Sequence, residues 1–388
     1  MKLVEVNSGR LEKRFLDVAR KLYHNDPVWV CPLDPVINAI FDPRKNVFFT
    51  HGEAQRWILE DDEGNLIGRV AAFINRKKAY GFEQPTGGMG FFECIDDQDA
   101  AFLLFDRCRT WLEERGMKAM DGPINFGEND HFWGLLVEGF THPSFGMPYN
   151  HPYYEKLFTA YGFKAYFEQV TNHLDLTIPF PERFWKIADW VRQKPGFEWR
   201  NFEPDQTDKF INDLKEVYDE AWKNHQNFTP LEINTIKSEL AQTKLFLQKE
   251  FIWFVYHEGE PAAFLVMFPD VNQLLKPFKG KLNALNKLRL LMMNRRKRID
   301  RARITIMGVK PRFQRYGLES GIFWHMQKVM EKPQFKHYKE IELSWVGDFN
   351  PKMQALHEAV GARFGKRHLT YRFLFDGQGK DLQKPKKL

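Results

Sequence analysis

The stretch with the most chemical content runs Ile304-Thr-Ile-Met-Gly-Val-Lys-Pro-Arg-Phe-Gln-Arg-Tyr-Gly-Leu-Glu-Ser-Gly-Ile322. A strand stops at Pro311, a polar turn carrying Gly317 follows, and apolar residues at Ile322, Phe323 and Met326 mark a helix. The first N–H groups of a helix have no intrahelical partner and stand at the positive end of its dipole. With Arg312 and Arg315 beside them, such groups would hold a diphosphate. An ordinary strand–turn–helix, with glycine for steric relief, would show the same residues.

The spacing Val309-x-Pro311-x-x-Gln314-x-x-Gly317-x-Glu319 resembles the acyl-CoA signature of the GNAT superfamily of N-acyltransferases, with Glu319 where that pattern has a small residue. Downstream, Asn350-x-x-Met353-x-x-Leu356-His357-Glu358-x-x-Gly361-Ala362 is similar to the superfamily's second pattern, with His357 in place of its usual tyrosine. The resemblance implies acetyl-CoA or a longer acyl-CoA as co-substrate and a primary amine as acceptor, joined by direct attack. Met307, Gly308, Val309, Arg312, Gln314, Arg315, Tyr316, Gly317, Leu318 and Asn350 are the positions it assigns to the donor.

Such an attack has three requirements. The ammonium must lose a proton, the thioester carbonyl must be polarised, and the departing thiolate must be stabilised. Backbone N–H groups around Met307–Val309 would polarise the carbonyl. Glu342, on a predicted strand Glu340–Trp345, is the first choice of base, acting through a water that Ser344 orients from the same face. Asp348, Asn350 and Tyr371 rank behind it. His357 stands where the superfamily has a proposed acid for the thiolate, and its own range would lie nearer neutrality. A solvent-facing strand carboxylate and a half-buried helix histidine are the plain alternatives for Glu342 and His357. Asn125, Asn129, Asp130 and Tyr153 are expected to line the acceptor site where two domains meet.

The elements that must position these residues follow an α/β pattern that occurs twice. Strand-like runs at 2–6, 56–60, 66–75, 88–94 and 118–121 alternate with helical patterns from Leu11 to Leu22, after Asp97, and at 154–161. The order returns after Pro195-Gly196 with strands at 197–202, 251–257, 262–268, 302–309, 338–345 and 368–375. The fold expected is a mixed α/β sheet built as two tandem GNAT-like units. Residues 1–190 form a degenerate first unit and 197–376 the acyl-CoA-binding one; 270–301 is a basic insertion and 377–388 a tail. In the first unit, Ile95-Asp96-Asp97-Gln98-Asp99 stands where a pyrophosphate loop belongs, and clustered carboxylates repel a diphosphate. The Gly-, Asn- and aromatic-rich stretch from Gly122 to Tyr154 resembles a tandem bacterial subfamily of the YghO type, related to the bacterial ceramide synthases.

Charge narrows the class further. The formal net charge is +6, yet Lys276–Arg303 carries eleven basic residues against Asp300, so this segment holds +10 and the remainder −4. Leu282, Leu285, Leu288 and Met292 fall at helical spacing within it, and Arg295–Arg298 follow. The segment reads as a helix on an anionic membrane surface, delivering a lipid or sphingoid amine, or as a solvated insertion. RNA contact is a third reading, weakened by the lack of interleaved aromatics. A Fem-type transfer from aminoacyl-tRNA and a non-catalytic binding protein of the same fold are the competing functions. No apolar run is long enough to span a bilayer, and no secretory leader is readable. Three cysteines, Cys31, Cys94 and Cys108, without CxxC spacing, predict a cytoplasmic protein with neither disulfides nor a metal site.

Overall fold

A computed structural model describes residues 1–377 apart from 129–130, 224–229, 234–235, 238–239, 241–242, 244–245 and 296–298. Its strands are β1 Lys2–Glu5, β2 Gly52–Glu60, β3 Leu66–Asn75, β4 Thr86–Cys94, β5 Ala119–Gly122, β6 Leu135–Glu138, β7 Lys164–Asp175, β8 Phe197–Asn201, β9 Ile252–His257, β10 Glu260–Pro269, β11 Arg301–Val309, β12 Glu340–Glu342, β13 Val346–Gly347 and β14 Arg363–Leu374. They form one mixed sheet in the order β1-β2-β3-β4-β5-β14-β7-β12-β11-β10-β9-β8, with β6 beside β14 and β13 beside β7. This is the α/β fold with a mixed sheet that the alternating pattern predicts.

Helices cover both faces, which is why β3 and β10 read as nearly unbroken apolar runs. In the first half, helices Gln98–Glu113 and Tyr154–Tyr161 bury Leu104, Phe105 and Phe158 on one face, and helix Gly9–Leu22 buries Phe15 on the other. In the second half, helices Glu182–Arg192 and Leu318–Met330 bury Phe184, Ile322 and Phe323 on one face. Helix Thr207–Trp222 sets Phe210 and Val217 on Phe254 and Phe264 of the other.

The halves are joined by exchange. β7, from the first half, pairs with β12 of the second, while the C-terminal strand β14 lies between β7 and β5 of the first. β7 did not stand out in the sequence, because Gln169, Thr171 and His173 occupy positions that turn out to be inward-facing and interrupt its apolar alternation. The strand expected over 338–345 shortens to β12, after which the chain crosses to pair with β7 as β13.

Helix Ala284–Arg295 of the basic segment is anchored by Leu290, which is buried. Leu285, Leu288, Leu291 and Met292 point into solvent, the first with 64% of its surface exposed. Just before it, Asp34 N–H donates to the Gly280 carbonyl and Arg20 donates to that of Lys279, so the segment lies against the first half. Arg296, Lys297 and Arg298 lie outside the described residues.

Candidate active site

Strands β11 and β12 are parallel and touch over three residue pairs only, Arg301↔Glu340, Ala302↔Ile341 and Arg303↔Glu342. Beyond that point β11 continues to Val309 on β10 alone, while the other chain leaves for β7. The result is a V-shaped opening with Arg303 and Glu342 at its apex and Met307, Gly308 and Val309 along one arm. Gly308 is required there, since a Cβ would lie 2.6 Å from the Trp222 ring.

At the open end, Lys310 leads into a short 3-10 turn, Pro311–Tyr316, then Gly317 and helix Leu318–Met330. Gly317 has φ +70°, which favours glycine, and the helix starts with no side chain capping it. The first half differs at the equivalent place: the Asp97 side chain accepts from Ala100 N–H at 2.8 Å and occupies its own helix start. Arg312, Gln314, Arg315 and Tyr316 are exposed on the turn, and Leu318 is buried under it. Glu319, in the first helical turn, has its carboxyl raised by burial. Lys310, which sequence reading passed over, is fully buried, with Nζ 2.8 Å from Glu260, 3.4 Å from Glu220 and in contact with Glu216. Glu260 also pairs with Arg312, so two cations of the turn are already balanced.

At the apex the structure assembles a buried polar chamber on one face of the sheet. Arg301 and Arg303 come from β11, Glu340 and Glu342 from β12, Gln169, Thr171 and His173 from β7, and Lys366, His368 and Thr370 from β14. Residues 131–150 lie over it: Arg301 donates to the His142 carbonyl at 3.2 Å, Arg303 donates to that of Phe145, and His368 Nε2 meets Pro148 O at 3.2 Å. Asp270 closes one side, accepting from Arg301 at 2.7 Å and from Phe145 N–H at 3.0 Å. Glu342 is completely buried, 3.4 Å from Arg303, 3.8 Å from Lys366 and 3.9 Å from His173. Desolvation would raise its carboxyl, but Lys366 and the two arginines outweigh that and hold it below the ordinary range. Among the described residues, neither of its oxygens has a hydrogen-bond partner, nor do Lys366 Nζ, His368 Nδ1, Gln169 Nε2, Thr171 Oγ1 or Ser144 Oγ. Each such group left without water or a ligand would cost about 1–3 kcal/mol. Only Glu342 of this set carries a sequence signal, its place on the strand after the acyl-CoA signature.

The other expected residues are dispersed. Ser344 is half-buried just past β12, where the chain has left the sheet. His357 hydrogen-bonds Asn172 at 3.1 Å. Because Asn172 alternates with Thr171 and His173 along β7, His357 stands on the face opposite Glu342. Burial pushes its imidazole down to about 4, which corrects the expectation of a value nearer neutrality. The ring is neutral at pH 7 and has no imidazolium proton to give. Tyr371 also turns away from Lys366 and His368, and its hydroxyl donates to Glu155 at 3.1 Å. Asn350 caps helix Pro351–Ala359 by accepting from Met353 N–H at 3.2 Å. Asp348 accepts from Glu168 N–H beside β7. Asn125 donates to the Glu128 carbonyl, and Tyr153 donates to that of Cys94, both within the first half. Asn129 and Asp130 lie outside the described residues.

The whole chain has close counterparts. A bacterial ceramide synthase of Caulobacter vibrioides is 30% identical over 380 residues, 96% of each chain. The chain belongs to the bacterial ceramide synthase family. Protein YghO of Escherichia coli is 26% identical over 92% of each chain. No family model matches the sequence. Among solved structures, a tandem GNAT protein from the clavulanic acid biosynthesis pathway superposes with a TM-score of 0.56 at 12% identity, covering 98% of this chain and 99% of its own. A GCN5-related N-acetyltransferase of Sphaerobacter thermophilus gives 0.50 at 10% identity, over 98% of both chains. At these identities the likeness concerns the fold, and it is that of tandem GNAT proteins.

The buried histidines give this member of the ceramide synthase family a defined acid sensitivity. Burial holds His368 at about 3 and His357 and His325 at about 4, whereas the unfolded chain would protonate them near 6.5. Their folded values are depressed, so the unfolded state binds more protons as pH drops. Stability is therefore full above about pH 6.5 and is lost progressively toward pH 4, by an amount on the order of a few kcal/mol. Urea unfolding at pH 7 and pH 5 should show this loss, and His368→Gln should narrow it. A variant with the same pH gap as the parent would contradict the assignment to His368.

Proposed function

We propose that this chain is an N-acyltransferase that moves an acyl group from acyl-CoA to a primary amine carried by a lipid, a sphingoid amine being one such acceptor. The observation that carries the reading is the β11–β12 opening, with a carboxylate at its apex and an uncapped helix start at its mouth. The thioester would lie along the Met307–Val309 arm, its carbonyl polarised by backbone N–H groups. The diphosphate would meet the helix start at Gly317 and Leu318, flanked by Arg312, Gln314, Arg315 and Tyr316. In this reading only the second unit takes the donor, since Asp97 occupies the corresponding helix start of the first. Nearby cations hold the Glu342 carboxyl below its ordinary range, and it has no hydrogen-bond partner among the described residues, which suits it to hold the acceptor's ammonium. The name of the Caulobacter relative supports a lipid amine.

The exposed stripe Leu285, Leu288, Leu291 and Met292, set among lysines and arginines, fits shallow insertion into an anionic membrane surface. No helix among the described residues is long and apolar enough to cross a membrane. Titration calorimetry with acyl-CoAs of several lengths should show binding that Gly317→Trp weakens at least about tenfold, since that ring fills the turn and must adopt a left-handed backbone. Absence of binding to the folded parent defeats the donor assignment. Separately, flotation with phosphatidylglycerol vesicles should retain the parent and lose the double variant Leu285→Glu/Leu288→Glu. A parent that stays in the aqueous fraction removes the membrane element alone.

A further inference from the structure

The chamber holds a group that the acyl-transfer reading does not use. Lys366 stands on β14 opposite Thr171 of β7, fully buried. Its Nζ lies 3.8 Å from Glu342 Oε2 and has no hydrogen-bond partner among the described residues. A lysine stem that long usually brings its amine to water. Here both neighbouring strands and residues 131–150 keep it inside, beside the apex of the opening. A buried lysine shifts its pKa readily, which is how lysine comes to serve as a general base.

Resting on the acyl-transfer reading, we propose that the chamber receives the acceptor's amino head and that Lys366 is the catalytic base that takes its proton. Glu342 binds the ammonium. With Lys366 in its neutral form, the acceptor's ammonium gives one proton to Nζ, and the freed lone pair forms the C–N bond to the thioester carbon. The C–S bond breaks with its electron pair on sulfur, which takes up the second proton lost from nitrogen. Lys366 returns its proton to water as the amide and the thiol leave.

The surroundings suit this division of labour. Around Lys366 are Glu342 and Glu340 from β12, Arg301 from β11, Asp270 after β10, His142 from the segment lying over it, and His368 on its own strand. Desolvation, reinforced by Arg301, holds the Lys366 amine below the ordinary lysine range in spite of Glu342. His368 is neutral, and Nε2–H donates to Pro148 O, which leaves Nδ1 as a second acceptor for the ammonium. The exchange of β7 and β14 between the halves is what brings these groups to one place, so the acceptor site belongs to both units.

Turnover of a single acyl-CoA and amine pair is to be measured for the parent, Lys366→Met and Lys366→Arg, with donor affinity by calorimetry. Methionine removes the amine, and arginine, always protonated, cannot accept a proton. Both variants should lose kcat by about 10²-fold or more while donor Kd stays within about twofold. The rising limb of the parent's pH–rate profile should vanish from their residual activity. Either variant within about threefold of the parent overturns the proposal, as does a loss confined to KM. If neither variant folds, the ¹³Cε resonance of Lys366 in the parent decides: titration below the ordinary lysine value supports the base, and titration at that value overturns it. A folded parent that transfers no acyl group defeats the functional reading itself, an outcome visible before any variant is compared.

Discussion

Replacing Glu342 by glutamine is expected to lower kcat/KM for the amine by about 10²–10³-fold while acyl-CoA affinity stays nearly constant. The carboxylate stands at the one place where β11 and β12 part, fully buried, with both oxygens open to a hydrogen-bond donor. Arg303 and Arg301 favour its ionised form even when Lys366 is neutral, so it is a weak proton acceptor and a strong anchor for a cation. Glutamine keeps the shape and discards the charge, which removes the anchor and leaves the proton acceptor in place. The loss should therefore fall mainly on KM for the amine, in contrast with the kcat loss expected at Lys366. Removing a buried charge also takes one counter-charge from Arg303, so circular dichroism must accompany the kinetics. Glu342→Asp preserves the charge and should recover part of the loss. A folded Glu342→Gln enzyme working within about threefold of the parent would show that the amine is held elsewhere.

The turn and one carboxylate of this candidate site were legible in the sequence, and the part that was not has a physical reason. The signature from Val309 to Gly317 announced a strand, a turn and a helix start, because proline and glycine act locally. Glu342 was found by its distance from that signature along a strand. Lys366, His368 and His173 gave no such signal. Polar residues at alternating positions look the same on a solvent-facing strand as on one facing a buried chamber, and only pairing decides between them. That pairing here is non-local: β14 crosses to the first half and β7 to the second, an exchange that periodicity within either segment cannot report. His357 shows the converse. Its place in a recognisable pattern was clear, but its neutral state depends on burial against Asn172, from the other half of the chain.

The exchange has a stability signature of its own, and Arg372→Ala is expected to cost about 3–5 kcal/mol. Arg372 of β14 grips Asp121 of β5 through two hydrogen bonds, 2.6 and 2.7 Å long, with both side chains buried. Its guanidinium also lies 3.8 Å from the centre of the Tyr166 ring, on β7. One side chain thus ties together the three strands through which the halves interlock. Burial outweighs the arginine at Asp121 and holds that carboxyl above its ordinary range, so the pair gains little over an apolar replacement. The large cost arises when one partner is left charged and alone. Removing both, as Asp121→Leu with Arg372→Met, should therefore restore most of what Arg372→Ala loses. Urea unfolding of the parent, Asp121→Leu, Arg372→Met and the double variant forms the cycle that measures this coupling. Additive losses would mean that the two residues act independently and that the strands are held by their backbone ladder. A coupled loss would tie acceptor chemistry to assembly, because the strand that Arg372 secures also carries Lys366 and His368 into the chamber.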